Sequence, residues 1–337
     1  MKNCVLIKGF FLSFILLAVL IWGAFNTVNR YYADSDNALF YIYCAAKPSD
    51  LSFLEQNLIV FKNRARKRDA EIQLIILGAS KNIALSPLER MFVNIGRRIA
   101  NKEKIDKSEL LKFSNNIRYD VIKLEYAERL IYMTLTFNRY EIINDILTAF
   151  GVDEFLPYMT MAYNGRKAAY KNIIQRSYKY EYDLVEESLY NPNKCLVIER
   201  VKKRYSLLKK GTYYKEKILL SMCASNCGNN MLSKEILENM YYVASTPPFN
   251  YPSHRIYVRK LIAIHLALDK NIDTMLKTLY TAPSIRDATK LASDVSAYLT
   301  ISTDARTSIS TIKSFFCLEN QLKFYFLPSS PPLFLHQ

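Results

Sequence analysis

Leu219 to Met240 reads LLSMCASNCGNNMLSKEILENM. Apolar residues crowd together up to Cys223, small and polar residues surround Gly228-Asn229-Asn230, and Leu232, Ile236, Leu237 and Met240 then recur at helical spacing. That pattern is two helices joined by a short turn. Neither helix buries its stripe alone, so the two stripes must meet each other or a neighbour, which makes the pair an αα-hairpin. The outline recurs on both sides. Downstream, Leu261 to Leu268, a turn at Asp269-Lys270-Asn271, and Ile272, Met275, Leu276 and Leu279 form another pair, continued by Leu291, Val295 and Leu299. Upstream, a stretch starting at Ser108 places Leu110, Ile117, Leu124 and Ile131 seven apart, with Phe113, Val121 and Ala127 between them. A turn at Asn138-Arg139-Tyr140 then leads into Ile142, Ile143, Ile146, Leu147 and Phe150. Gly151 follows, where a helix ends in the left-handed conformation.

Pro157 and Pro192 are 35 residues apart, as are Pro248 and Pro283. This is near the 34-residue period of tetratricopeptide units, but the Trp, Gly, Tyr and Ala signature of that repeat is absent. The expectation is an all-α fold of stacked helical hairpins, an α-solenoid with tetratricopeptide-like architecture and no claim to that family. Composition agrees: half the 337 residues are hydrophobic and 13 % aromatic, and only 8 Gly and 11 Pro interrupt them. That suits long regular elements and argues against disorder or a loop-rich β fold.

Residues 31–100 form a first helical segment before the hairpin stack of 101–321. Ser35 or Asp36 caps a helix through Tyr43, and Pro48-Ser49-Asp50 opens a second from Leu51 to about Arg68, with Leu51, Leu54, Leu58 and Phe61 on one face. Its end, KNRARKR at 62–68, has five cations and no acid, and as a last helical turn it would complement the carboxyl end of the helix dipole. Ala38 to Cys44 and Glu71 to Leu77 (EIQLIIL) admit a rival reading as the strands of a β-α-β unit with a nucleotide site over 38–77. No Gly-rich phosphate loop follows either stretch, and Asp34-Ser35-Asp36 precedes the first rather than following it, so helix is expected at both. Ser86-Pro87-Leu88-Glu89 caps and opens the next helix toward Ala100. The polar run Asn101 to Ser108 follows it, and residues 322–337 close the chain as an irregular tail.

Ahead of all this lies Gly9 to Phe25, GFFLSFILLAVLIWGAF, seventeen residues without an ionisable side chain. As a helix it extends roughly 26 Å, close to the ~30 Å hydrocarbon core of a bilayer. A cleaved signal peptide should close on small residues, yet a cut after Ala24 leaves Trp22 at the −3 position and one after Ala33 leaves Tyr31. Residues 1–30 therefore read as an uncleaved signal-anchor, with residues 9–25 in the membrane. Lys2 and Lys8 outweigh Arg30, which places the amino terminus in the cytoplasm and the bulk on the far side, periplasmic or lumenal.

The net charge of +15 arises from 46 basic and 31 acidic residues, and leaving out Lys2, Lys8 and Arg30 the rest still carries +12. Such a surface draws acidic partners. Between Glu199 and Lys217 eight cations accompany two Glu, with Tyr205, Tyr213 and Tyr214 interleaved, and Arg166 to Lys179 adds five more cations without an acid. Arg200, Lys202, Lys203, Arg204, Lys209, Lys210, Tyr213 and Tyr214 are the candidate partner-binding residues. The plain reading of these charges is a set of solvated helix faces. As a binding patch they favour an acidic protein or an anionic lipid surface, and a nucleic acid, held by phosphate contacts and base stacking, is the disfavoured alternative because the anchor places the patch outside the cytoplasm.

Catalytic chemistry finds little support. Six cysteines stand at 4, 44, 195, 223, 227 and 317, too irregular for a disulfide framework. Cys223 and Cys227 are a candidate disulfide only if the turn begins between them, because Cβ atoms four apart on a helix lie about 6 Å apart and a bridge needs ~3.8 Å. No third or fourth metal ligand stands at local spacing. His265 falls on the apolar face of Leu261, Ile264 and Leu268 and reads as a core histidine with a backbone partner, whereas His254 in FNYPSH reads as an exposed loop residue. Glu125 with Glu128 and Glu186 with Glu187 read as solvated helix faces. The expected protein has no catalytic, cofactor or metal site. It is a membrane-anchored interaction module or scaffold subunit of an envelope or endomembrane complex, with a membrane-anchored transferase as the rival from another class.

Overall fold

The computed structural model describes residues 33–152, 156–164 and 178–317. Among them are sixteen α-helices, about 77 % of the residues are helical, and no strand occurs. We number the helices α1 (33–44), α2 (Leu51–Asn57), α3 (Arg64–Ile76), α4 (Pro87–Ala100), α5 (Lys107–Asn115), α6 (Asp120–Thr136), α7 (Ile143–Phe150) and α8 (Leu156–Tyr163). After the second gap come α9 (Lys179–Tyr190), α10 (Lys194–Leu208), α11 (Tyr214–Asn226), α12 (Asn230–Ser245), α13 (Pro252–Leu268), α14 (Ile272–Tyr280), α15 (Ile285–Ser302) and α16 (Ala305–Phe315). Among the described residues no helix is long and apolar enough to cross a membrane. The anchor expected at 9–25, residues 165–177 of the second basic run and the tail 322–337 lie outside the described residues.

The β-α-β rival falls here, because Ala38 to Cys44 belongs to α1 and Glu71 to Ile76 to α3. Ile72, Gln73, Leu74, Ile75 and Ile76 are all buried, and a helix covered on every side shows no period by which to tell it from a buried strand. The helix expected from Leu51 to Arg68 is also corrected. It breaks after Asn57 into a 3-10 turn, Leu58–Val60, and Phe61 turns extended with ψ of 126°. The basic run 62–68 therefore opens α3 instead of closing a helix, where its charge opposes the dipole. Local partners offset this. The Asp36 carboxylate accepts from the backbone amides of Lys62 (3.1 Å) and Asn63 (2.6 Å), and the Asn63 side chain accepts from Ala65 N and Arg66 N. Arg66 pairs with Asp69 (3.2 Å) and Glu125.

The seven-residue stripe from Leu110 to Ile131 is likewise two helices. Asn116 caps the end of α5, its Nδ2 donating to the Lys112 carbonyl (2.7 Å), and the chain restarts at Asp120. Because the phase resets, Val121 and Leu124 point outward, 79 % and 44 % exposed. The hairpin turns agree with expectation: Gly151 and Gly228 take φ of +67° and +77°.

Partner offsets give the order of the second half. From α11 to α13, Ser221 meets His265 and Ser225 meets Asp269, both 44 residues apart. From α13 to α15, Lys260 pairs with Asp294 (3.2 Å) and Ser302 Oγ donates to the Ala267 carbonyl (2.7 Å). A constant offset means parallel helices. Helices α9, α11, α13 and α15 thus form one row, and α10, α12, α14 and α16, each linked to it by a short turn, lie beside it. Each member of this second row begins with a capping side chain: Asn193 on Leu196 N, Asn229 on Leu232 N, Asn271 on Thr274 N and Asp304 on Thr307 N.

On its other side the first row meets α8 and α6. Helix α8 touches α9, α11 and α13, and its Met159, Thr160, Met161 and Ala162 are all buried; α6 touches α15. This arrangement explains why Ile218 to Ala224 of α11 and Leu261 to Leu268 of α13 are buried without interruption. Helix α1 runs parallel to α6, since the Tyr41 hydroxyl donates to Glu128 (3.0 Å) and Thr136 Oγ1 to the Ala45 carbonyl (3.0 Å). Between them the Arg129 guanidinium, 3 % exposed, lies over the rings of Phe92 (4.2 Å), Tyr126 (5.0 Å) and Phe40 (5.1 Å) and faces Asp69 at 3.7 Å. Stacked arginine of this kind fills a core position while its charge is met by ring faces and one carboxylate. The core runs continuously from Ala38 to Phe316.

Candidate functional site

The basic patch read from the sequence lies on α10 and the turn after it. Arg200 pairs with Glu187, Lys202 with Glu199 (2.8 Å), Arg204 with Glu181 (2.6 Å) and Lys209 with Glu235 (3.2 Å). Three of these four acids come from α9 and α12, beyond the window in which only two Glu are counted. Folding therefore removes much of the apparent charge. Lys203 and Lys210 remain exposed, with no ion pair among the described residues. Tyr213 is 49 % exposed and available for contact, whereas Tyr214 is 6 % exposed and belongs to the core. Arg200 and Arg204 also lie 5.8 and 5.6 Å from the Tyr180 ring, so both guanidiniums are held from two sides.

What remains on the outward face of α10 is a ridge of mixed character. Leu196, Arg200, Lys203 and Leu207 recur at four, three and four residues, one side of one helix. Leu196 is 54 % and Leu207 70 % exposed. Lys210 and Tyr213 extend the ridge beyond the helix end. In the sequence the lysines stand out and the leucines do not, because only burial of Val197, Ile198, Val201 and Tyr205 shows which apolar stripe faces inward.

Lys217, fully buried, is the one cation of the run that turns wholly inside. Its ammonium donates to the carbonyls of Gly211 (2.8 Å) and Lys209 (3.2 Å), carbonyls left open where α10 ends. Burial lowers its pKa to about 8, partly countered by Glu216.

The histidines also find definite places. His254 stands in the first turn of α13 instead of a loop, half-buried, with its ring 5.6 Å from Tyr251 and 6.1 Å from Tyr214. His265 is a core residue as expected, but its partner is a side chain: Nε2 lies 3.4 Å from Ser221 Oγ, which in turn meets Ser233 Oγ at 2.8 Å. Burial lowers its pKa to about 4 against the opposing pull of Asp269. Asp269 accepts from the Tyr163 hydroxyl of α8 and faces Ser225 Oγ at 3.4 Å. Serine, histidine and aspartate thus come together, yet Nδ1 of His265 has no hydrogen-bond partner, so the contact that orients a catalytic imidazole is missing. Ser221 and His265 are 0 % and 1 % exposed, which keeps any substrate away. The cluster joins helices α8, α11, α12 and α13.

Cys223 and Cys227 are both free thiols, the first buried within α11 and the second at its C-cap. The helix runs unbroken between them, so the early turn that a bridge requires is not formed. Burial raises the pKa of both. Among the described residues no group of three or more His, Cys, Asp or Glu is placed to hold a metal ion. No family model matches the chain, and no curated protein or solved structure matches it.

Proposed function

We propose that this chain is a single-pass, membrane-anchored protein-interaction module that presents a stack of helical hairpins, an α-solenoid, to a partner with an acidic and apolar contact helix. The observation that carries the reading is the α10 ridge, where Leu196 and Leu207 stand out beside Lys203, with Arg200 on the same side and Lys210 and Tyr213 beyond the helix end. An amphipathic partner helix lays apolar anchors against such a ridge and its acids along the lysines. The row of α9, α11, α13 and α15 is covered on one side by α8 and α6, so the partner surface falls on the opposite, outer row. Residues 9–25 supply the tether, with the amino terminus in the cytoplasm and the helices on the far side of the membrane.

The test is purification of the full chain from membranes in mild detergent with whatever remains bound, followed by Leu207→Asp with Lys203→Glu. The double variant should lose the co-purifying protein, while Leu111→Asp, a substitution at an exposed leucine of α5, should keep it. Equal retention by all three chains would remove the α10 ridge from consideration. Protease protection of a reporter placed after Gln321 checks the side of the membrane.

A further inference from the structure

The basic run at 62–68, which reads in the sequence as a last helical turn, opens α3 and acquires neighbours in the fold. Helices α1, α3 and α6 run the same way: Arg66 Nε donates to Asn37 Oδ1 (2.7 Å) while its Nη1 meets Glu125, and Tyr41 reaches Glu128 one turn further along. Their first turns are therefore level. Helix α15 joins them there, because Thr289 Oγ1 donates to Asp34 (2.5 Å). One end of the molecule thus collects the point where the described chain begins, the start of α3 with exposed Lys62 and Arg64, the start of α6, and exposed Arg286 and Lys290 on α15.

The start of α6 is unusual for a surface facing only water. Tyr119, Val121, Ile122 and Leu124 are 59, 79, 43 and 44 % exposed within two turns, with Arg118 and Lys123 among them. Aliphatic residues clustered in this way mark an interaction surface, and cations interleaved with them are the composition of elements that lie in a membrane interface. The acids of this end are mostly engaged inward. Asp36 holds the amides of Lys62 and Asn63, Asp34 takes Thr289, and Asp69 and Glu125 take Arg66, leaving Asp120 exposed and Asp287 at the cap of α15. The outward charge is carried by lysine and arginine.

We infer that this end is a membrane-facing surface, on which Val121, Ile122 and Leu124 insert among lipid headgroups while Lys62, Arg64, Arg118 and Lys123 bind anionic phospholipid. The inference rests on the anchoring of residues 9–25 proposed above. Only residues 26–32 separate that stretch from Ala33, a connection of at most about 25 Å when fully extended, so the bilayer lies within reach of the end where α1 begins. Opposite charge on the lipid then selects this end over the rest of the surface. Docking there holds the helical stack in one fixed attitude to the bilayer, with the α10 ridge presented to partners.

Trp22 is the chain's single tryptophan and lies within the 9–25 stretch, so the natural protein reports on the anchor alone. The full chain is reconstituted into vesicles of brominated phosphatidylcholine with phosphatidylglycerol, or of brominated phosphatidylcholine alone. Trp22 emission should be quenched in both. In a Trp22→Phe background, Val121→Trp should be quenched in the vesicles containing phosphatidylglycerol, and the quenching should be lost with Lys62→Glu and Arg64→Glu. Leu207→Trp in the same background should stay bright. Quenching of Trp22 without quenching at position 121 overturns the docking and leaves the anchor standing, whether a second copy or the chain's own termini cover the face. Absence of both overturns the two readings together. Equal quenching at 121 and 207, or quenching at 121 indifferent to the anionic lipid, removes the proposed surface.

Discussion

His265 shows what a single residue of this core contributes and at what pH. Its pKa of about 4 in the fold lies below the ordinary value of 6.5, because burial disfavours the imidazolium. A base whose folded pKa is depressed leaves stability intact above the unfolded pKa and withdraws it as pH falls through the window between the two values. Here the window runs from 6.5 down to about 4. Linkage then gives a loss of roughly 3 kcal/mol across it. Urea unfolding of the full chain in detergent should show the stability advantage of the natural protein over His265→Gln shrinking by about 2 to 3 kcal/mol between pH 7 and pH 4.5. A constant difference would mean that His265 is not buried as a neutral ring. The histidine's burial was legible from its place on the Leu261, Ile264, Leu268 face. Its serine partner was not, because Ser221 arrives from 44 residues away and serines carry no apolar period. Arg129 was invisible for the same reason: a guanidinium in a ring cage reads as a surface charge until Phe40 and Phe92 are brought beside it.

Helix boundaries depended on how much of each signal was local. Gly151 ends α7 with φ of +67°, a conformation that costs a residue with a Cβ, and Gly151→Ala should lower stability by about 1 kcal/mol in a denaturant titration while Gly151→Asn costs less. That signal sits in one residue, and the sequence shows it. The start of α3 does not work this way. Its cap includes a carboxylate 26 and 27 residues distant, Asp36, whose two charge-assisted bonds to backbone amides make KNRARKR tolerable at a helix amino end. Asp36→Ala leaves those amides unpaired beside a positive helix start and should cost about 2 to 3 kcal/mol, with Asp36→Asn intermediate. A cost under 0.5 kcal/mol would show that solvent caps the helix equally well. The outer helices carry a clearer mark. Asn193, Asn229, Asn271 and Asp304 each cap one of them, at intervals of 36, 42 and 33 residues. These caps are unevenly spaced, and the evenly spaced prolines mark only part of the alternation between the two rows. Pro248 and Pro283 do precede equivalent helices, α13 and α15; Pro157 lies inside α8 and Pro192 before α10, so their matching interval is accidental.

Across the whole molecule, α8 decides which surface is free. It lies against α9, α11 and α13, and Met159 at its centre is fully buried. Met159→Ala should destabilise the chain by about 2 to 4 kcal/mol through the cavity it leaves. Met159→Asp should go further, exposing the apolar side of α11 and α13 to a hydrophobic dye and to protease, and an unchanged dye response would show that α8 is dispensable. The all-helical class was legible because each hairpin advertises its own stripe. The covering by α8 was not, since a short apolar helix such as Leu156 to Tyr163 carries no indication of the helices it will lie against.

The two ends of the described chain meet. Asp34 bonds Thr289 across 255 residues, and Lys313 Nζ donates to Asn57 Oδ1 across 256. Ribosomes add about 5 to 20 residues per second, so α1 waits roughly 13 to 50 s for α15 to be made. During that interval α1 and α6 have each other and α4 as neighbours but lack the cover that α15 supplies. The seam between α1, α6 and α15 is therefore closed only after the helices between them have been made, and the time to translate them sets the lower limit on how fast that seam forms.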